Sequence, residues 1–422
     1  KDKLAFAYSA LNQENNGWRN FDFQDKKRIF GAVKFRPVPR LTFQAMGETG
    51  RDFGAVMRTT LESEEALAWY DNRAARGADA VTVTPGTTLP NVALNALGIV
   101  GRNGASGGTN HRLIYLENNA AFFDAIGTYL TATYNNSAVK APDGTPGRTG
   151  GTLRINDSKI YPYSNNAAGP GMHRRQTLSN YTITADWQPA KNFFVNLGHN
   201  YQKTDVMVNL MVGASPVLRG DPNRTLGLGG PANPYAGRLF FDGDWRRDIR
   251  HRAYEETRLS LSYILDPKSK WLGTHRLVGL VSHSEDYDER ANSWLVLAGR
   301  PFNADPINVN NRVTVRNYLT EGDYSTYRVG DWRSLPSTIA FGGRTYQTAY
   351  ANTAAETGTN GGALQKTDSG LAVVQSHFLH ERLVTTLGYR EDRAKIIQMG
   401  STNDPIRGDV VDCDPAKQRA SD

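Results

Sequence analysis

Tyr181-Thr182-Ile183-Thr184-Ala185-Asp186-Trp187-Gln188, closed by Pro189-Ala190-Lys191-Asn192, resumes as Phe193-Phe194-Val195-Asn196-Leu197-Gly198-His199-Asn200-Tyr201-Gln202. Tyr181, Ile183, Ala185 and Trp187 fall on one parity, and Thr182, Thr184, Asp186 and Gln188 on the other. After the turn, Phe193, Val195, Leu197 and Tyr201 oppose Asn196, Gly198, Asn200 and Gln202. Side chains alternate with period two along a strand and with period 3.6 around a helix, so this run predicts two half-buried strands and not helices. Proline at the connector fixes φ and removes a ladder donor, which marks a turn.

Three more pairs follow the same pattern. Ile29, Val33 and Phe35 alternate with Arg28, Lys34 and Arg36; Pro37-Val38-Pro39 turns the chain, and Leu41, Phe43 and Ala45 resume. Leu259, Leu261, Tyr263 and Leu265 alternate with Arg258, Ser260 and Ser262, turn at 266–270, and rise again through Leu277 to His283. The last pair runs from Gly370 to Leu379 and returns as Leu383, Thr385, Leu387 and Tyr389. With the opening run Leu4 to Tyr8, the expectation is about nine or more strands.

Within pairs the connectors are short. Between them lie polar stretches of roughly 50 to 175, 205 to 252 and 288 to 369, far beyond the usual loop of about four to six residues. An antiparallel up-and-down transmembrane β-barrel has this asymmetry, with short turns at one rim and long extracellular loops at the other. Hydrocarbon cannot hydrogen-bond backbone groups, so strands must pair with one another, with one face toward lipid and one toward a wet interior. Tyr8, Trp187, Phe193, Tyr201, Tyr263 and Tyr389 are candidates for aromatic girdles.

Composition agrees with this reading. The 422 residues include 41 Gly and 19 Tyr, with 39% hydrophobic residues. Mean hydropathy is negative, and no apolar run approaches the roughly 18 residues of a helical span. The one cysteine, Cys413, excludes an intrachain disulfide and a cysteine-based metal cluster. A net charge of +7 suits anionic partners. Arg and Lys are spread along the chain instead of clustering with stacking aromatics, which argues against nucleic acid.

Several segments in order resemble the TonB-dependent outer-membrane transporter family. They are Lys1 to Tyr8 followed by Gly17-Trp18-Arg19-Asn20-Phe21, the hairpin Arg28 to Phe43 with its KFRPVPRLTF turn, Thr274 to Leu280, and Val374 to Phe378 leading to Gly388, Arg390 and Asp392. The resemblance implies that residues 1–422 form a partial receptor-like barrel. The plug domain, the TonB box and the remaining strands of a barrel of about 22 would be absent, and both polar ends read as cut. It implies a receptor in the outer membrane of a Gram-negative bacterium that imports a scarce solute of iron-siderophore or glycan type. Its partners would be that ligand, the TonB-ExbB-ExbD energy complex reached through the absent N-terminal region, and outer-membrane lipid and lipopolysaccharide.

Enzyme signatures are weak, and neither a cofactor nor a resident metal is expected. Gly101 to Gly108 is rich in glycine, but no apolar strand precedes it and no Gly-Lys-Ser/Thr follows. His377 and His380 would point to opposite faces of a strand. Two charged stretches are candidate ligand contacts. Arg246, Arg247 and Arg250, with His251 and Arg252, would attract an anion. Glu285, Asp286 and Asp288, with His283 and Glu289, would face a cation. Solvated charge paired with nearby acids is the commoner outcome for both. Leu61 to Arg76 is expected to form a short helix in the first long loop. Two alternatives stay open: a passive outer-membrane porin or channel, and a secreted β-rich enzyme or carbohydrate-binding protein with Asp242, Asp244 and Trp245 in a sugar site.

Overall fold

The computed structural model describes residues 3–56, 111–126, 161–212 and most of 217–351 and 361–399, with short strands at 63–64, 99–101, 132–134 and 153–154. Within the expected helix at Leu61 to Arg76, the described residues Ser63 and Glu64 instead form a short strand, held by ladder pairing to Val217–Leu218 and to Leu153–Arg154. The rest of that segment, most of the glycine-rich stretch from Gly101 to Gly108, and Cys413 lie outside the described residues.

Nine long strands form the frame: β1 (Leu4–Asn16), β2 (Phe23–Val38), β3 (Leu41–Ala55), β4 (His173–Ala190), β5 (Phe193–Val212), β6 (Leu239–Leu265), β7 (Thr274–Leu297), β8 (Gly361–Phe378) and β9 (Leu383–Met399). Each pairs antiparallel with its neighbour in sequence, from β1–β2 through β8–β9. This is the up-and-down meander of a barrel wall, and the nine expected strands are these nine. Among the described residues no pairing joins β9 back to β1.

At one rim the connectors are tight. Pro39 and Arg40 join β2 to β3, Lys191 and Asn192 join β4 to β5, residues 266–273 join β6 to β7, and residues 379–382 join β8 to β9. At the other rim the chain leaves for residues 56–172, 213–238 and 298–360. The connection between β1 and β2, residues 17–22, is a short exception at that rim.

The loop boundaries expected from sequence need correction. β6 has 27 residues and β7 has 24, so both run deep into stretches expected to be loop. At about 3.3 Å per residue, β6 is roughly 90 Å long, whereas about 9–11 residues suffice to cross a bilayer. The excess is covered on both faces. From Leu239 to Trp245 every residue of β6 is buried, so both parities are occupied and the alternation that signals a strand disappears.

A cap of loop segments supplies the cover. On one face Trp245, Phe241 and Met211 pack with Tyr161, Val313, Val315, Tyr327 and Val329. On the other, Phe240 and Tyr318 pack with Ile114, Leu116, Phe123 and Leu226. The strand Val313–Tyr318 ties the cap to the wall, pairing antiparallel with β6 at Phe240–Asp244 and parallel with Leu113–Leu116.

Candidate functional site

Below the cap the two faces of the wall differ. One carries Leu197, Leu261, Ile183, Trp187, Tyr263, Phe35 and Leu387, all exposed. The other carries Asn196, Ser260, Thr184 and Arg258, and there Asn196 Nδ2 donates to Asp186 Oδ1 at 2.7 Å. The polar face also holds a cleft of about 460 Å³ near the tight-turn rim, bordered by Arg40, Thr42, Asp186, Ser260 and Arg276.

The apolar band crosses the strands obliquely. One row of directly paired residues on the apolar face reads Phe6, Val33, Ala45, Ile183, His199, Thr257, His283, Asp368 and Arg393 from β1 to β9. It begins greasy and ends ionic. Strands about 4.8 Å apart and tilted about 40° climb roughly 3 Å at each step along such a row. Eight steps make about 25 Å, the height of the apolar band of an outer-membrane barrel. A slab cutting a tilted sheet produces this drift. Aromatic pairs bound the band on β4 to β6: Phe193 packs edge-on against Tyr263 (6.3 Å) near the turn rim, and Tyr181 stacks on Tyr201 (5.2 Å) toward the loop rim.

The charged stretches singled out from sequence lie above this band, and their parity divides them. Arg246, Arg250, Asp286 and Asp288 share the polar face, whereas Arg247 and Glu285 lie on the opposite one. Arg247 donates through Nε to Asn209 Oδ1 at 3.0 Å, and its guanidinium stacks on Tyr350 (4.0 Å) and Trp332 (5.4 Å). It pins the cap to the wall. Glu285 accepts from Lys366 Nζ at 2.8 Å and lies 3.6 Å from His283.

On the polar face the two stretches meet. Arg250 binds both oxygens of Asp288, Nε at 2.8 Å and Nη2 at 2.7 Å. That bidentate bond, with Arg252 at 3.9 Å and Arg290 at 3.8 Å, holds the Asp288 carboxyl below the usual carboxylate range. Arg246 pairs with Asp248 at 2.7 Å. Two basic residues that sequence reasoning passed over share this face: Arg290, inside the 288–369 stretch expected to be a long connection, and Arg174, which precedes the stretch recognised as strand. Both follow from carrying the alternation further along β7 and β4.

Asp242, Asp244 and Trp245 cannot line an open sugar site, because each is at most 7% exposed. Asp242 binds Arg316 at 3.0 Å, Asp244 accepts from Thr314 at 2.6 Å, and Trp245 donates to the Gly330 carbonyl at 3.1 Å. They belong to the cap's interior.

No protein-family model and no curated protein matches the chain. Among solved structures it resembles the ferric preacinetobactin receptor BauA of Acinetobacter baumannii, with 6% identity and TM-score 0.43 over 94% of this chain and 37% of that one. It also resembles the ferripyoverdine receptor of the outer membrane of Pseudomonas aeruginosa (9%, TM-score 0.43, 94% and 34%) and the ferric-catecholate import receptor Fiu of E. coli K12 (8%, TM-score 0.41, 94% and 41%). The chain spans between a third and about two fifths of the length of these receptors. At such scores and identities the likeness assigns no activity.

Proposed function

We propose that this chain is part of the wall of an outer-membrane receptor barrel of the TonB-dependent type, which captures a scarce extracellular solute and passes it inward with TonB-derived energy. The observation that carries this reading is the oblique apolar band on one face of the wall, with exposed Leu197, Leu261, Ile183 and Leu387, opposite a polar face carrying Asn196, Ser260 and Thr184. Lipid accounts for exposed Leu197 at 46% and Leu261 at 40% without any protein partner. The polar face then lines the lumen, and the cap sits at the extracellular mouth where a solute first arrives. Energy coupling and the class of solute, iron-siderophore or glycan, come from the family resemblance of the strand hairpins.

The test is membrane assembly of the full-length protein. It is expected to resist extraction by aqueous buffer and to sediment with outer membranes. Leu197→Arg and Leu261→Arg are expected to weaken assembly by about 2–4 kcal/mol near the midplane, whereas Asn196→Arg and Ser260→Arg cost much less. Release into buffer without detergent, or equal effects on both faces, would sink the reading.

A further inference from the structure

We propose that the polar face of β4, β6 and β7 just below the cap is a binding site for a soluble oxyanion carrying two or more negative charges. That a solute reaches this face rests on the receptor reading above.

On these three strands Arg174, Arg246, Arg250, Arg252 and Arg290 share the face with the carboxylates of Asp248, Asp286 and Asp288, Val208 of β5 standing between Arg174 and Asp248. Five guanidinium groups against three carboxylates leave an excess of two positive charges. The excess is built into the register. Arg250 and Arg290 stand directly opposite each other on adjacent strands, where like charges destabilise a sheet. Asp288 offsets only part of this: both its oxygens accept from Arg250, and the same single carboxylate is the ion-pair partner of Arg252 at 3.9 Å and Arg290 at 3.8 Å. Their side chains are 53% and 57% exposed. Each guanidinium presents five donors in a planar fork that matches a carboxylate or phosphate edge. A register that keeps two like charges face to face, with one carboxylate shared among three guanidinium groups, breaks a local rule, and such positions are where function is expected.

A lipid phosphate offers the same chemistry, but lipid meets the other face of the wall. The two sources therefore separate experimentally. Protein purified from outer membranes in detergent is titrated calorimetrically at fixed ionic strength with citrate and pyrophosphate, with sucrose as the neutral control and lipopolysaccharide micelles as the lipid arm. Citrate or pyrophosphate is expected to bind, and more weakly as salt rises, while sucrose does not. Arg252→Gln and Arg290→Gln are each expected to weaken binding about three- to fivefold, and Arg393→Gln, on the opposite face, to leave it unchanged. Arg290→Gln removes the facing repulsion, so its melting temperature is expected to hold or rise while binding falls. A structural role would lower both. The proposal is overturned if neither anion binds, if lipopolysaccharide alone binds, or if Arg290→Gln loses stability and binding together. Membrane-assembled protein that ignores both anions would defeat this site and leave the receptor reading standing.

Discussion

Asp288 shows how a single side chain links sequence to pH response. Its carboxylate accepts a bidentate bond from Arg250, and that bond depresses its proton affinity. A carboxyl with a folded pKa below its unfolded value stabilises the fold fully above the unfolded value, about 3.9, and loses that contribution as pH falls through the depressed one. The two side chains are 36% and 32% exposed, so the pair is worth about 1 kcal/mol or less. Asp288→Asn is expected to lower the melting temperature at neutral pH, and the gap to wild type is expected to close as the pH falls through the depressed value of the Asp288 carboxyl. A gap that persists undiminished in acid would mean that Asp288 acts through packing and not through its charge.

Strands and turns carry the next level of information. The β6–β7 turn closes at Gly273, whose φ of +67° lies in the left-handed region, and a Cβ there would overlap the His377 carbonyl. Gly273→Ala is therefore expected to cost about 1–3 kcal/mol, whereas Gly279→Ala, with nothing within 4 Å of the added carbon, is expected to change little. Urea titration of the folded, heat-modifiable form in detergent measures both, and equal costs would refute the steric argument. The nine strands were legible in the sequence because lipid on one side and water on the other force period two on Tyr181 to Trp187 and on Leu259 to Leu265. The upper parts of β6 and β7 were not, because Leu239 to Trp245 are buried on both faces. The charged site was half legible. Residue type pointed to Arg246, Arg250 and Asp288, but only the register separates them from Arg247 and Glu285 and adds Arg174 and Arg290.

At the scale of the whole molecule, two parts rest on different physics. The wall is held by backbone ladders in a surrounding that offers no competing hydrogen bonds, and the cap is held by burial from water. The cap's polar knot makes them separable. Arg316, 3% exposed, bridges Asp242 at 3.0 Å and Asp221 at 3.5 Å and lies 3.9 Å over the Phe240 ring. Tyr318 donates to Asp221 as well, and so does Asn233 at 3.0 Å. Arg316→Met would leave two carboxylates buried without their cation, a loss of about 3–5 kcal/mol, whereas replacing Arg316, Asp221 and Asp242 together by apolar residues of similar volume is expected to restore most of it. The expected result for Arg316→Met is a protein that still assembles in the membrane but whose cap is cut by trypsin, while fragments of β4–β5 and β8–β9 stay protected. Loss of membrane assembly in this variant would show that wall and cap fold as one cooperative unit, with the extensions of β6 and β7 coupling them.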